Sequence, residues 1–166
     1  MVNFNLAYTA PINPAGAEPV LTRDQVWKGL KRKVRHAQEF VSVIVDCKVI
    51  TEEIADTGDK VTREVTFVPN LGIRDSNAPA KETVYEFAPS RVDFHQEDGS
   101  TVSNIVSSGP DGELLMTYAF EWRHPNIAEG SDEAKALEAK NWKLAPVAVE
   151  GSIDTIRRLV KDGEIQ

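Results

Sequence analysis

The chain has 166 residues, 41% of them apolar and 27% charged, with 26 acids against 19 bases and a formal net charge of −7. That length suits one domain spanning residues 1–166, and a chain of this size buries roughly 70% of its extended surface, enough for a real core. The mixture excludes disordered and fibrous classes, and the acidic balance argues against nucleic acid or a membrane surface as partner.

No apolar stretch approaches the ~20 residues that span a bilayer. The start, Met1-Val2-Asn3-Phe4-Asn5, lacks the basic residues and apolar run of a signal peptide. Cys47 is the single cysteine, so no internal disulfide is available. The expectation is a soluble, intracellular (cytoplasmic) protein.

In chain order, Phe4, Leu6 and Tyr8 alternate with smaller or polar residues and predict a strand over residues 3–9. Pro11, Pro14, Gly16 and Pro19 punctuate a loop. Thr22 is an N-cap candidate, and Val26, Trp27, Leu30, Val34 and Ala37 recur at helical spacing behind it. The segment from Phe40 to Val45 is read as a second short helix. Then the pattern becomes β-rich. Runs from Cys47 to Ile54 and from Val61 to Val68 flank the turn signal Asp56-Thr57-Gly58-Asp59. After a loop from Pro69 to Pro79 come runs over 82–87, 91–96, 101–107 and 113–122, with Asp98-Gly99 and Asp111-Gly112 as turns. Ser131 caps a last helix, in which Pro146 predicts a kink or a break and Val149, Ile153, Ile156 and Val160 form the apolar stripe.

Strands that follow one another without crossover helices predict an antiparallel meander. The fold class is therefore α+β. A curved seven-stranded antiparallel sheet wraps a long C-terminal helix, and two short helices after the first strand close one end.

This order resembles the START-related, birch-pollen-allergen-like helix-grip superfamily, also called SRPBCC proteins, and within it the AtaL-like family of small fungal and bacterial proteins. The resemblance rests mainly on Leu21-Thr22-Arg23-Asp24-Gln25-Val26-Trp27-Lys28-Gly29-Leu30. Phe40-Val41, Arg63-Glu64-Val65, Glu82-Thr83-Val84, Asp111-Gly112-Glu113-Leu114 and Ile156-Arg157-Arg158-Leu159 add shorter matches, so that essentially the whole chain is covered. It implies a helix-grip fold with a central cavity for a hydrophobic small molecule. Some superfamily members act as polyketide aromatases or cyclases; others only bind or carry lipids and hormones. Fungal members of this type look like accessory proteins of natural-product pathways.

The residues themselves exclude several chemistries. His36, His95 and His124 are scattered, no HExxH or CxxC pair exists, and neither phosphate-binding glycine motif is present, so no metal and no cofactor is expected. Cys47 has no nearby histidine and reads as a small buried residue. Lys28, Lys31, Arg32, Lys33 and Arg35 place five bases within eight positions. They read as a solvated helix face or, if functional, as a dock for an acidic carrier protein.

Strand alternation identifies the pocket candidates. Leu114, Met116, Tyr118, Phe120 and Trp122 share the heavier face of the last strand. Arg63 shares an apolar face with Val61, Val65 and Phe67, so it needs a carboxylate, from Glu82, Glu64 or a ligand. Tyr85, Asn104 and Tyr118 are inward-facing polar candidates, and Phe94 is favoured over His95 for the interior. Arg63, Tyr85 and Tyr118 are thus the candidate catalytic groups. Trp27, Phe67, Glu82, Phe94, Asn104, Met116, Phe120, Trp122, Trp142 and Ile153 are the candidate ligand contacts, Trp142 at the entrance. Two functions are expected: a cyclase-like or isomerase-like enzyme acting on a natural-product intermediate, or a non-catalytic carrier of an apolar metabolite. A hydrophobic small molecule is the expected partner, and a homodimer is left open.

Overall fold

The computed structural model describes residues 1–70 and 77–166. Part of the loop expected from Pro69 to Pro79, residues 71–76, lies outside the described residues.

Among the described residues seven strands form one antiparallel sheet: β1 (Val2–Pro11), β2 (Ile44–Glu53), β3 (Asp59–Phe67), β4 (Ala80–Phe87), β5 (Arg91–Gln96), β6 (Thr101–Ser108) and β7 (Leu114–His124). Their spatial order is β1-β7-β6-β5-β4-β3-β2, so β2 to β7 are a meander and β1 returns to pair with β7. Among the described residues two α-helices complete the fold, α1 (Arg23–Arg35) and α2 (Asp132–Lys161). The expected helix-grip architecture is the one observed.

Burial follows the alternation of the strands. Val2, Phe4, Leu6 and Ala10 of β1, Val84 of β4, Val92 and Phe94 of β5, Val106 of β6, and Met116, Tyr118 and Phe120 of β7 are buried on one face. The apolar stripe of α2 (Ala145, Val149, Ile153 and Ile156) joins them in one core. Each element thereby buries its single apolar side against the other, the general reason for a two-layer domain.

Helix α1 starts at a capping box. The Thr22 hydroxyl accepts from the Gln25 amide, and the Gln25 side chain accepts from the Thr22 amide. Asp24 in the first turn and Arg32, Lys33 and Arg35 in the last complement the helix dipole. Gly29 is where α1 meets α2: a Cβ there would lie 2.7 Å from Ile156 Cδ1 and closer still to its Cγ1. Helix α2 is capped by Ser131, whose hydroxyl accepts from the Ala134 amide at 3.1 Å.

Two expectations are corrected. The second short helix over Phe40–Val45 is absent; a single 3-10 turn covers Ala37–Glu39, and Ile44 and Val45 already belong to β2. The β-branched Ile44 and Val45 favour the extended chain there. Pro146 does not break α2, which runs 30 residues through it. The carbonyl that Pro146 leaves without an N–H partner is that of Trp142, an exposed residue, so water can satisfy it.

Candidate functional site

The sheet register lines up its inward side chains in rows. Asn104 pairs with Tyr118 on one side and Val92 on the other, and Val92 with Glu86. In the next row Leu6 pairs with Phe120, Phe120 with Val102, Val102 with Phe94, and Phe94 with Val84. Arg63 pairs with Glu82. The first row is polar in its middle and the second is apolar throughout.

Helix α1 adds one further group to this face. Lys33 is buried, and its Nζ donates to Asn104 Oδ1 and to the Tyr118 hydroxyl, each at 2.9 Å. The same Nζ stands 4.3 Å from the Tyr118 ring centroid and 5.6 Å from that of Phe94. Among the described residues no carboxylate lies within ion-pair distance of it. Burial pulls the Lys33 ammonium down to about 7, the Arg63 charge adds to the effect, and Glu82 opposes it. Burial also pushes the Tyr118 phenol well above its ordinary range, against a hydrogen bond with Ser152 of α2. Asn104 is wholly buried, yet its Nδ2 has no hydrogen-bond partner among the described residues. An orphaned buried donor is uncommon and needs an explanation.

Arg63 lies beside this group with its centre 4.9 Å from the Phe94 ring centroid. Its Nε and Nη2 donate to Glu82 Oε2 at 2.8 and 2.6 Å. Its Nη1 donates to the carbonyls of Lys33 and Val34 at 3.0 and 2.8 Å. Those carbonyls end helix α1, so Arg63 acts as its C-terminal cap and fixes the backbone of Lys33. Of the two carboxylates the sequence offered, Glu82 is the partner.

The apolar part of the face is not fully covered. Val102 and Trp122 pack on the core from the inward side but remain only half-buried, next to buried Phe94 and Phe120. Phe120 and Trp122 stack with their centroids 5.8 Å apart. Thus an accessible apolar surface begins two residues along β6 from Asn104.

The structure brings together Arg63, Glu82, Phe94, Asn104, Tyr118, Phe120 and Trp122 on the concave side, with Trp27, Met116 and Ile153 buried in the same core. Phe67 lies apart, in a smaller cluster with Ala37, Ile44 and Val65. One expected position is corrected. Tyr85 is on the opposite face of β4 from Glu82, Val84 and Glu86, stacked with Phe87 and edge-on to His95. Trp142, expected at the entrance, is half exposed on α2. Phe94 is inward and His95 outward, as the alternation predicts.

The basic run also differs from expectation. Lys33 points inward. Arg32 holds Glu39 and Glu164, each at 2.6 Å, and Arg35 holds Glu86 at 2.6 Å and Glu52 at 3.1 Å. Lys28 reaches Asp24 and the Gln166 carbonyl, both at 2.8 Å. These bases tie α1 to its surroundings, which leaves little of the run as a free positive surface. Among the described residues no helix is long and apolar enough to cross a membrane.

Comparison with known proteins places this geometry in a family. The model described as "Acetylaranotin biosynthesis cluster protein L" matches residues 6–163. The protein of that description from Aspergillus terreus is 28% identical over 163 residues, covering 98% of this chain and 94% of its own. Among solved structures, the 18 kDa protein CC1736 from Caulobacter crescentus superimposes with a TM-score of 0.60 at 13% identity, covering 98% of this chain and 99% of its own. The Zhui aromatase/cyclase from Streptomyces sp. R1128 gives 0.55 at 14% identity, with 96% of each chain covered. Likeness at such identities establishes the shared fold; the sequence match over nearly the whole length establishes that this chain belongs to the AtaL family.

Proposed function

We propose that the chain is a small-molecule-binding protein of a natural-product pathway that encloses an intermediate and promotes its cyclisation or isomerisation. The observation that carries this reading is the concave face itself: an accessible apolar surface at Val102 and Trp122 leads to a buried set of polar groups, Lys33, Asn104 and Tyr118. Small-molecule sites are built this way, with an apolar wall for area and a few fixed polar groups for orientation. The A. terreus relative is described as a biosynthesis-cluster protein, and an aromatase/cyclase shares the fold, which supports a pathway setting. Reactive carbonyl intermediates gain from enclosure because it excludes water and holds the reacting atoms close.

A second reading, a non-catalytic carrier, is favoured by one observation. The Arg63 guanidinium is engaged by Glu82 and by backbone carbonyls. That removes the polarising group that the sequence suggested.

Native mass spectrometry of the protein isolated from its source cells tests the shared part: a co-purifying small molecule is expected, and its absence argues against both readings. Adding the protein in sub-stoichiometric amount to that molecule's pathway precursor then separates them. Many turnovers per protein identify an enzyme; an unchanged precursor identifies a carrier.

A further inference from the structure

We infer that Lys33 is a proton acceptor for an acidic hydroxyl, a phenol or the enol of a carbonyl compound, and that the resulting oxyanion is held between Lys33 Nζ and Asn104 Nδ2. The inference rests on the small-molecule reading above and names the ligand's polar end.

Three features carry it. First, Lys33 is a long basic side chain buried on an apolar stripe with no carboxylate partner among the described residues, an arrangement with no gain for stability. Second, its two hydrogen bonds, to Asn104 Oδ1 and the Tyr118 hydroxyl, hold the nitrogen in place rather than neutralise it. Third, Asn104 turns one amide edge to Lys33 and leaves the other, a donor, unpartnered among the described residues. An accepting atom placed there would complete the hydrogen bonding of Asn104.

The charged groups facing Lys33 are Arg63 of β3 and Glu82 of β4, and the Glu82 carboxylate is held by Arg63. Tyr118 of β7 stays a neutral phenol. Lys33 therefore stands near the balance point between amine and ammonium at neutral pH, where a general base works best. In the transfer, the ligand's O–H bond breaks, an N–H bond forms at Lys33, and the electron pair stays on the ligand oxygen. The products are an ammonium and an oxyanion in contact in a low-dielectric interior, where their attraction is strong. The oxyanion then receives the Asn104 amide as a second donor.

4-Nitrophenol is a direct probe, because its phenolate alone absorbs in the visible. It is titrated into the protein at neutral pH, where about half of Lys33 is amine, with the free probe's own phenolate share subtracted and total binding measured by equilibrium dialysis. The phenolate band is expected to appear on binding to wild type. In Lys33→Met the phenolate share of bound probe is expected to fall by about tenfold or more, one pKa unit of lost stabilisation. Asn104→Leu keeps the lysine and removes the second donor, so a smaller fall in the same direction is expected; it serves as the test if Lys33→Met fails to fold. Binding of the neutral phenol by wild type, or an undiminished phenolate band in both variants, overturns the inference while leaving the small-molecule reading intact. No binding by wild type contradicts that reading and this inference together.

Discussion

Lys33 shows how position outweighs residue type. It stands seven residues after Val26 and three after Leu30, on the same stripe, with Val34 next to it. Counted as one of five bases in a run it looks solvated; placed on the helical wheel it is the lone charge among apolar neighbours. Its protonation has a measurable consequence. The folded value, about 7, lies below the ordinary 10.5, so the unfolded chain holds more protons between those limits. Wild-type stability relative to Lys33→Met is therefore expected to rise as pH goes from about 7 to about 10, and to be level below that window. Chemical denaturation of both proteins at several pH values checks this; a flat difference contradicts a depressed Lys33. Arg63 was legible as an inward arginine in need of an acid, because strand alternation put it on an apolar face. Its bonds to the Lys33 and Val34 carbonyls were not, since they join residues distant in sequence. Arg63→Ala would leave Glu82 buried and unpaired, and a loss of about 3–5 kcal/mol in urea denaturation is expected.

At the level of elements, local signals decided most boundaries. Thr22 with Gln25 and Ser131 with its acidic first turn mark both helix starts, and the Asp-Gly pairs mark hairpin turns. The misreadings have local causes too. The stretch from Phe40 to Val45 is apolar enough for either helix or strand; its last two residues, Ile44 and Val45, join β2, where Ile44 pairs with Phe67 of β3, and the rest forms neither. Pro146 was read as a kink or a break because sequence alone does not show whether the freed carbonyl faces solvent. Tyr85 was assigned to the interior although it lies one residue out of phase with Glu82 and Val84, so register alone places it outside. The helix crossing offers a clean test. Gly29→Ala would push a methyl group into Ile156, and overpacking at such a contact is expected to destabilise by about 1–3 kcal/mol. Thermal denaturation reads it, and an unchanged or higher melting temperature would contradict the close crossing of α1 and α2.

For the molecule as a whole, the order of elements was legible because it depends on few signals: one period for strands, another for helices, and no crossover between strands. Seven strands in one antiparallel sheet with a long last helix follow from that, and the AtaL family match agrees. The site was legible only in part. Asn104 and Tyr118 could be placed inward from their own strands, but that Lys33 reaches both depends on how α1 lies over the sheet. The central claim is that the concave face binds a small molecule by an apolar body at Val102 and Trp122 and a polar end at Lys33 and Asn104. A crystal structure of the protein with a bound hydrophobic phenol, such as 2-naphthol, tests it most directly. The account predicts the ring system against Phe94, Val102, Phe120 and Trp122, with its oxygen in hydrogen-bond contact with Lys33 Nζ and Asn104 Nδ2. A ligand seated outside the concave face, or one inside it with its oxygen turned away from Lys33, would contradict it.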